Sequence, residues 1–379
     1  MTSSPRRLLL WVVLPVLVIG LPLAGYGIYW QQVAGRLQAG VAQWAADQRT
    51  AGATIDFQWH GITGFPFAFT AEFTGVTILG RLGGTALSAR TDHLQLNVSP
   101  VDLNAVRLLC DKPLTVIVPG LSLGQASTGG SAAGSTGGAT TGAGDGAAGV
   151  RLTVEQADGM VRLRDGNPVG ATIDASKGKL DNGQSNLAVA SLHVSVQLPA
   201  TLPHDFKDPA ANIEINVSGV DLPADAPQLL PGPITEAGLV GTIKGPLLPP
   251  PAVERPRDLT GILAQWRDAG GVLDLSSFDF AQGPLTLSGS GTFALDANLQ
   301  PIGASKVTAT GLGDLIDLLT ARGELKRKEA GIAKAVITGL QRPAENGRQE
   351  VTVGLSIEDS IVSFGAFKLL RLPPIAWPH

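Results

Sequence analysis

One cysteine stands among 379 residues. Cys110 therefore has no intrachain disulfide partner, and a multi-cysteine metal cluster is excluded. Disulfide-free chains occur in oxidising and reducing compartments alike, so the count does not locate the protein. Charge is also sparse, at 16% of residues, and 28 Lys+Arg against 32 Asp+Glu leave a net −4. No basic field gathers phosphates, which sets nucleic acid aside as a partner. The histidines, His60, His93, His193, His204 and His379, never fall at a spacing such as H-x-x-x-H that lets two hold one metal. Acidic residues are dispersed among turns and helix surfaces, without the repeated D-x-D series of a calcium loop. No metal and no cofactor is assigned.

What the chain has in abundance is glycine, 48 residues, and proline, 26, within a composition that is 44% hydrophobic. That is a β-rich, turn-rich profile. The N-terminus differs. "RRLLLWVVLPVLVIGLPLAGYGIYW" places Arg6 and Arg7 before an uncharged apolar run from Leu8 to Trp30. About twenty helical residues at roughly 1.5 Å each cross the hydrocarbon layer of a bilayer. Pro15 and Pro22 are tolerated in such a span, because freed backbone groups can be re-satisfied locally. The competing reading is a cleaved signal peptide, but Pro22 and Leu23 suit a small-residue cleavage site poorly. An uncleaved anchor is preferred, with Tyr26, Tyr29 and Trp30 at the far interface and the arginines keeping the N-terminus cytoplasmic. In a bacterium the remainder is then periplasmic.

Residues 31–50 continue as an amphipathic helix. Val33, Leu37, Val41 and Trp44 form one apolar stripe, which packs on the following β domain or, in the alternative, pairs in a coiled coil. From residue 51 the period becomes two. In "TIDFQWHGITGFPFAFTAEFTGVTI", Ile55, Phe57, Trp59, Phe65, Phe67, Phe69 and Phe73 all occupy odd positions. Strict alternation predicts one buried face, with a turn at Gly61–Gly64 and Pro66 at a strand start or edge. Aromatics are only 5% of the chain, so this concentration marks either core or a face for an apolar ligand.

Further alternating strands follow at "LQLNV" and "LTVIV". Residues 125–149, rich in Gly, Ser, Ala and Thr, hold almost nothing that offsets the entropy of ordering, and the segment is a disordered insertion or an interdomain linker. Insertion is favoured because the strand pattern resumes in "VRLTVEQADGMVRLRDGNPVGATIDA", "LAVASLHVSVQL" and "NIEINVSGVDL". A helix follows at "RDLTGILAQWRDAGG", with Leu259, Ile262, Leu263 and Trp266 on one face and Gly270-Gly271 ending it. More strands, two helices near Asp314–Ala321 and Glu329–Leu340, and a hairpin complete the chain.

Catalytic patterns are weak. "GLSLG" matches G-x-S-x-G with Ser122 in the nucleophile position, but the glycine-serine tract behind it cannot supply the helix that an elbow needs. "SKGK" gives Ser176 and Lys179 the S-x-x-K spacing without partner motifs. "NVS" at Asn97 and Asn216 fits a glycosylation acceptor but lies in strand patterns, and "LDAN" at 295–298 is a hairpin turn.

The N-terminal anchor, "GFPFAF", "LAQWRDAGGVLDL", "GPLTLSGSGTFALDANLQPIG" and "LLRLPP" together resemble the bacterial envelope family called domain of unknown function 2125. The resemblance spans nearly the whole chain except 125–149. It implies location more than activity, because that family's function is not established. In architecture the chain is also loosely similar to AsmA-like proteins, implicated in envelope lipid transport, although architecture does not imply function.

The expected fold is β-dominated with a few helices: an N-terminal transmembrane helix, then a long antiparallel meander forming a curved, half-open sheet or groove. The divisions are 1–30 anchor, 31–50 amphipathic helix, 51–124 and 150–379 as two parts of one β-rich domain, and 125–149 the insertion. The expected function is that of a non-enzymatic, single-pass inner-membrane protein that binds or transfers lipid. The alternatives are an envelope scaffold acting through protein partners and, third, a serine hydrolase using Ser122. Phe57, Trp59, Phe65, Phe67, Phe69 and Phe73 are the candidate ligand or core face.

Overall fold

A computed structural model describes residues 5–50, 52–82, 85–119, 149–181, 186–199, 201, 203–223, 230–246, 259–343, 349–365, 367–375 and 377, apart from the side chains of 5–24, 81, 82, 85 and 369. Helix α1 (Pro5–Thr50) leads into β1 (Thr54–Thr63), β2 (Phe69–Leu82), β3 (Thr85–Ser99), β4 (Asp102–Cys110) and β5 (Leu114–Pro119). Then come β6 (Gly149–Arg164), β7 (Asn167–Asp181), β8 (Asn186–Gln197), β9 (Pro209–Asp221) and β10 (Ile234–Lys244). Helix α2 (Leu259–Asp268) precedes β11 (Val272–Gln282), β12 (Leu285–Leu295) and β13 (Pro301–Thr310). Helices α3 (Leu312–Ala321) and α4 (Arg327–Leu340) precede β14 (Arg342–Pro343), β15 (Gln349–Glu358), β16 (Ile361–Phe364) and β17 (Phe367–Arg371).

All these strands belong to one sheet, and every pairing is antiparallel between near neighbours in the chain. The architecture is the β-dominated meander that the alternating pattern predicts. Strands β4 and β5 lie end to end in a single lane: β3 pairs Val98 with Val106 of β4 and Thr91 with Leu114 of β5, and β6 closes the other side of both. The lane is broken at Asp111-Lys112-Pro113, where proline has no N–H to give the ladder. Pro119 pairs with Gly149, so the described strands on either side of residues 120–148, which lie outside the described set, meet at adjacent points. Strands on both sides of that segment share one sheet.

The first hairpin departs from the expected geometry. Strand β1 continues through Gly61 to Thr63, and the turn is Gly64–Ala68, where the N–H groups of Phe67 and Ala68 both donate to Gly64 O (3.0 and 2.9 Å). Gly64 sits at φ +96°, and a Cβ there would lie 2.8 Å from Ala68 O, so the turn requires glycine. The Phe65–Pro66 peptide is cis. Register shifts between Asp56 and Gln58 and between Trp59 and Ile62 also interrupt the ladder. Each inserted residue reverses which face the following side chains meet. The odd-position rule therefore fails for Phe65 and Phe67, which belong to the turn and not to the strand.

Helix α1 packs on the opening strands. Val33 is buried with Phe69 and Val98, Trp30 and Leu37 flank them, and Val41 meets the cluster of Ala71, Phe73 and Val76. Trp44, expected in the stripe, is 48% exposed, and Ala45 is buried in its place. Val33, Leu37, Val41 and Ala45 form an i, i+4 ridge, which winds gradually around the helix and carries the contact away from position 44. At the helix end the Arg49 guanidinium donates to Ile55 O (2.6 Å), fixing the entry to β1.

Helix α2 closes over the strand ends through Trp266, which is buried and donates from Nε1 to Lys244 O (2.8 Å). Gly271 lies flat beneath that ring, where a Cβ would meet Trp266 Nε1 at 2.3 Å. Helices α3 and α4 fill the crossing from β13 to β15, each burying one residue, Ile316 and Ala330. The C-terminal segment folds back on the β12–β13 turn, where Trp377 Nε1 donates to Leu299 O (2.8 Å).

Because residues 119 and 149 are already paired, deletion of residues 125–144 should leave the sheet intact. Shortening the connection changes closure entropy by only about 1–2 kcal/mol. The expected melting temperature matches the parent within a few degrees and is not lower; a large drop in a thermal unfolding scan would show that the segment packs on the sheet.

Candidate functional site

Directly opposed residues in an antiparallel ladder share a face, so the register sorts the side chains of the whole sheet. One row begins under α1 with Ala71 on β2 and passes through Leu96, Leu108, Gly159, Ile173 and Val194. It continues through Ile215, Leu239, Phe278, Gly289 and Val307 to Val353 on β15. No member is polar. At about 4.8 Å between strands, the row runs about 50 Å across the sheet. The next row on the same face joins Phe69, Val98, Val106, Val161, Ala171, Val196 and Ile213 in the same way.

Cover is uneven along this face. At the α1 end, Phe69, Ala71 and Val98 are buried, and at the other end so are Val307, Ala309 and Val351, where α3 meets β12 and α4 meets β15. Between them Ile173 is 48% exposed, and Leu108, Val194, Ile215, Leu239 and Phe278 are only partly buried. Glycines flatten the surface further: a Cβ on Gly289 would meet the Phe278 ring at 2.7 Å, so the ring lies across the neighbouring strand. Among the described residues the largest fully buried side chains are Phe69 and Ile55, both near α1. The middle of the face is an apolar surface, not a sealed core.

The opposite face is polar and carries a depression of about 850 Å³ spanning β3 to β10. Its walls include Asp158, Asp174, His193 and Asn216 on one side and Gln156, Ser176, Ser191 and Ser218 on the other. His193 Nδ1 lies 2.7 Å from Asp174 Oδ1, His93 Nδ1 lies 2.6 Å from Asp111 Oδ1, and Arg107 pairs with Asp158. The hydrogen bond from His93 holds the Asp111 carboxyl below its usual range. These are exposed ion pairs of the kind that contribute little to stability. Cys110, opposite Ala157 and on the apolar face two residues on from Leu108, has its thiol pushed up, first by burial and then by the Asp111 charge. It is thus a poor nucleophile.

The motif matches find their places. Ser176 and Lys179 lie on strand β7, and no helix aligns them. Asn97 accepts from Thr70 Oγ1 (2.7 Å) within the sheet, and Asn216 donates to Glu214 (3.0 Å). Asp296 organises the expected turn, accepting from the N–H groups of Asn298 and Gln300, both at 2.8 Å. His60 contacts Thr74 (2.8 Å). Ser122 lies outside the described residues. Among the described residues no three His, Cys, Asp or Glu side chains gather as a metal site. No helix among them is long and apolar enough to cross a membrane; the run Leu8–Trp30 falls mostly on side chains outside that set.

The six candidate aromatics separate into three environments. Phe57 and Trp59 meet Phe73 edge-on (ring centroids 5.2 and 4.9 Å), all under α1. Phe69 stacks on Trp30 at 5.2 Å and is buried. Phe65 touches Tyr26 and Trp30 but is 54% exposed, and Phe67 is 86% exposed. The cluster is core for four residues and surface for two. The long row through Ile173 and Ile215 was not singled out from the sequence. Each strand's alternation was visible, but the register joining them was not.

The match to known families agrees with this layout. The model of the bacterial family described as "Uncharacterized protein conserved in bacteria (DUF2125)" covers residues 30–373. The chain belongs to that family. The matched region starts at Trp30, the residue stacked on Phe69, and includes the whole sheet. Comparison with curated proteins found no match, and comparison with solved structures found none either.

Two predictions test the placement of these side chains. Phe69→Ala should cost about 3–5 kcal/mol and Phe67→Ala no more than about 0.5 kcal/mol, measured by denaturant unfolding; equal effects would contradict the assigned burial. Native-state alkylation of Cys110 by maleimide should be far slower than in denaturant, and comparable rates would show an accessible thiolate.

Proposed function

We propose that the chain is a non-enzymatic, single-pass inner-membrane protein of the bacterial envelope that holds lipid acyl chains on the apolar face of its sheet. The observation that carries this is the uninterrupted apolar row from Ala71 to Val353, with Ile173 48% exposed at its middle. An antiparallel sheet with one apolar face ordinarily buries it under a second layer. An acyl chain supplies such a layer, each buried methylene contributing about 0.8 kcal/mol. Glycines and small residues among the larger ones make the face flat enough for an extended chain to lie along it. The apolar run Leu8–Trp30 supplies the anchor in this reading, with Arg6 and Arg7 on the cytoplasmic side and the sheet in the periplasm.

A second reading, a scaffold acting through protein partners, draws on β17. That strand pairs only with β16 among the described residues and leaves Phe367 71% and Leu370 51% exposed. An unpaired edge with apolar side chains invites strand addition from another protein.

The deciding experiment uses full-length protein extracted in mild detergent and analysed for bound lipid by native mass spectrometry. The parent should carry lipid, and the pair Ile173→Asp with Ile215→Asp should lose most of it while far-UV circular dichroism stays unchanged. Absence of lipid from the parent, together with capture of one defined protein by a photo-crosslinker at Phe367, would replace lipid binding with the scaffold reading.

A further inference from the structure

At one end of the sheet three uncharged segments meet: Leu8–Gly35 of the helix, Gly61–Ala71 around the β1–β2 turn, and Leu94–Val101 leading into the β3–β4 turn. The β1–β2 turn is fastened to the helix twice. The Tyr26 hydroxyl donates to Pro66 O, and Trp30 Nε1 donates to Ala68 O at 3.2 Å. The Phe65 ring touches both Tyr26 and Trp30, with centroids 6.0 and 5.6 Å away. These bonds satisfy the Pro66 and Ala68 carbonyls and the polar tips of Tyr26 and Trp30, and leave the Phe65 and Phe67 side chains facing outward. Phe67 is 86% exposed and Phe65 54%, beside Tyr26 and its ring neighbour Tyr29, 40% exposed, on the helix. Val101, 96% exposed, caps the adjacent turn, because β2 and β3 pair Phe69 with Val98 just below it.

Single exposed apolar side chains need no explanation, but a contiguous group drawn from three segments does. Trp30 ends the apolar run, and Tyr26 lies four residues earlier, about 6 Å along the helix axis. The turn is held level with Tyr26. If Leu8–Trp30 crosses the bilayer, Phe65 and Phe67 stand inside its outer boundary at the depth of about 5–10 Å that interfacial apolar side chains reach. Aromatic residues favour that layer.

We propose that the Gly64–Ala68 turn, with Val101 beside it, is a membrane-interface wedge that seats Phe65 and Phe67 in the headgroup–acyl boundary next to α1. This rests on the anchor reading given above. The occupant is the lipid surface itself, which the uncharged anchor brings to these side chains. The wedge would fix the tilt of the sheet and place the start of its apolar face, Phe69 and Val98 under Trp30, against the bilayer. An acyl chain could then leave the membrane along an apolar path without first entering water.

The test uses the full-length chain, with Cys110→Ala, reconstituted into vesicles of phosphatidylethanolamine and phosphatidylglycerol. Nitroxides are attached singly at Val18→Cys, Phe67→Cys, Val101→Cys and Glu324→Cys, and their accessibility to oxygen and to a water-soluble nickel chelate is read by power-saturation electron paramagnetic resonance. The expected result is preferential oxygen access at 18, 67 and 101, with deeper immersion at 18, and preferential nickel access at Glu324 beyond the opposite end of the sheet. Val18 in lipid with 67 and 101 in water would overturn the wedge and leave the anchor standing. Positions 67 and 101 shielded from both reagents would overturn the wedge and assign the patch to contact between two copies of the chain. Val18 in water would overturn both readings. Positions 67 and 101 are solvent-exposed in the fold, so labels there leave its packing undisturbed.

Discussion

A sheet with one largely apolar face cannot stand bare in water, and that constraint governs this molecule. Each strand alternates, and the antiparallel register keeps the alternation in phase along one row from Ala71 on β2 to Val353 on β15, so the apolar positions add into a row about 50 Å long. Burying them is the main favourable term in folding. The protein supplies cover of its own at the two ends. Helix α1 buries Phe69, Ala71 and Val98, and Val307, Ala309 and Val351 are buried where α3 and α4 meet the sheet. Between these ends the face is left with partly exposed Ile173, Val194, Ile215 and Leu239.

The covered end is the most tightly specified part of the structure. Trp30 stacks on Phe69 while its indole N–H reaches Ala68 O, and the Val33–Leu37–Val41–Ala45 ridge continues the contact down the sheet. The same short stretch of helix therefore seals core on one side and orients the β1–β2 turn on the other. The opposite, polar face does different work. Its ion pairs, such as His193 with Asp174, are exposed and contribute to solubility more than to stability.

Much of this was legible from residue order. Period-two alternation identifies strands wherever one face is wet, and it located most of them. Helix α2 ends at Gly270-Gly271 as the glycine pair indicates, and Trp266 is its buried residue. The aromatic cluster was legible as a cluster but not as two environments. Gly64 can take the conformation of a turn as readily as Gly61, and the choice moved Phe65 and Phe67 out of the strand. Trp44 was misplaced for a related reason: a helical stripe read from sequence does not reveal the direction in which its ridge crosses a twisted sheet.

By itself the sequence determined the class of structure: an apolar N-terminal run, a helix, and a long one-sided meander carrying a Gly/Ser/Ala/Thr-rich insertion, whose expected end at 149 gives way to β6 starting there. It did so because local periodicity and turn chemistry act within a few residues. Only the tertiary structure decided which residues face each other. Registers between distant strands, bulges at Gly75 on β2 and Gly61 on β1, and the hydrogen bonds from Tyr26 and Trp30 to the turn join positions far apart in the chain. Those long-range pairings turn separate strands into a single apolar face, and they set two phenylalanines outside it.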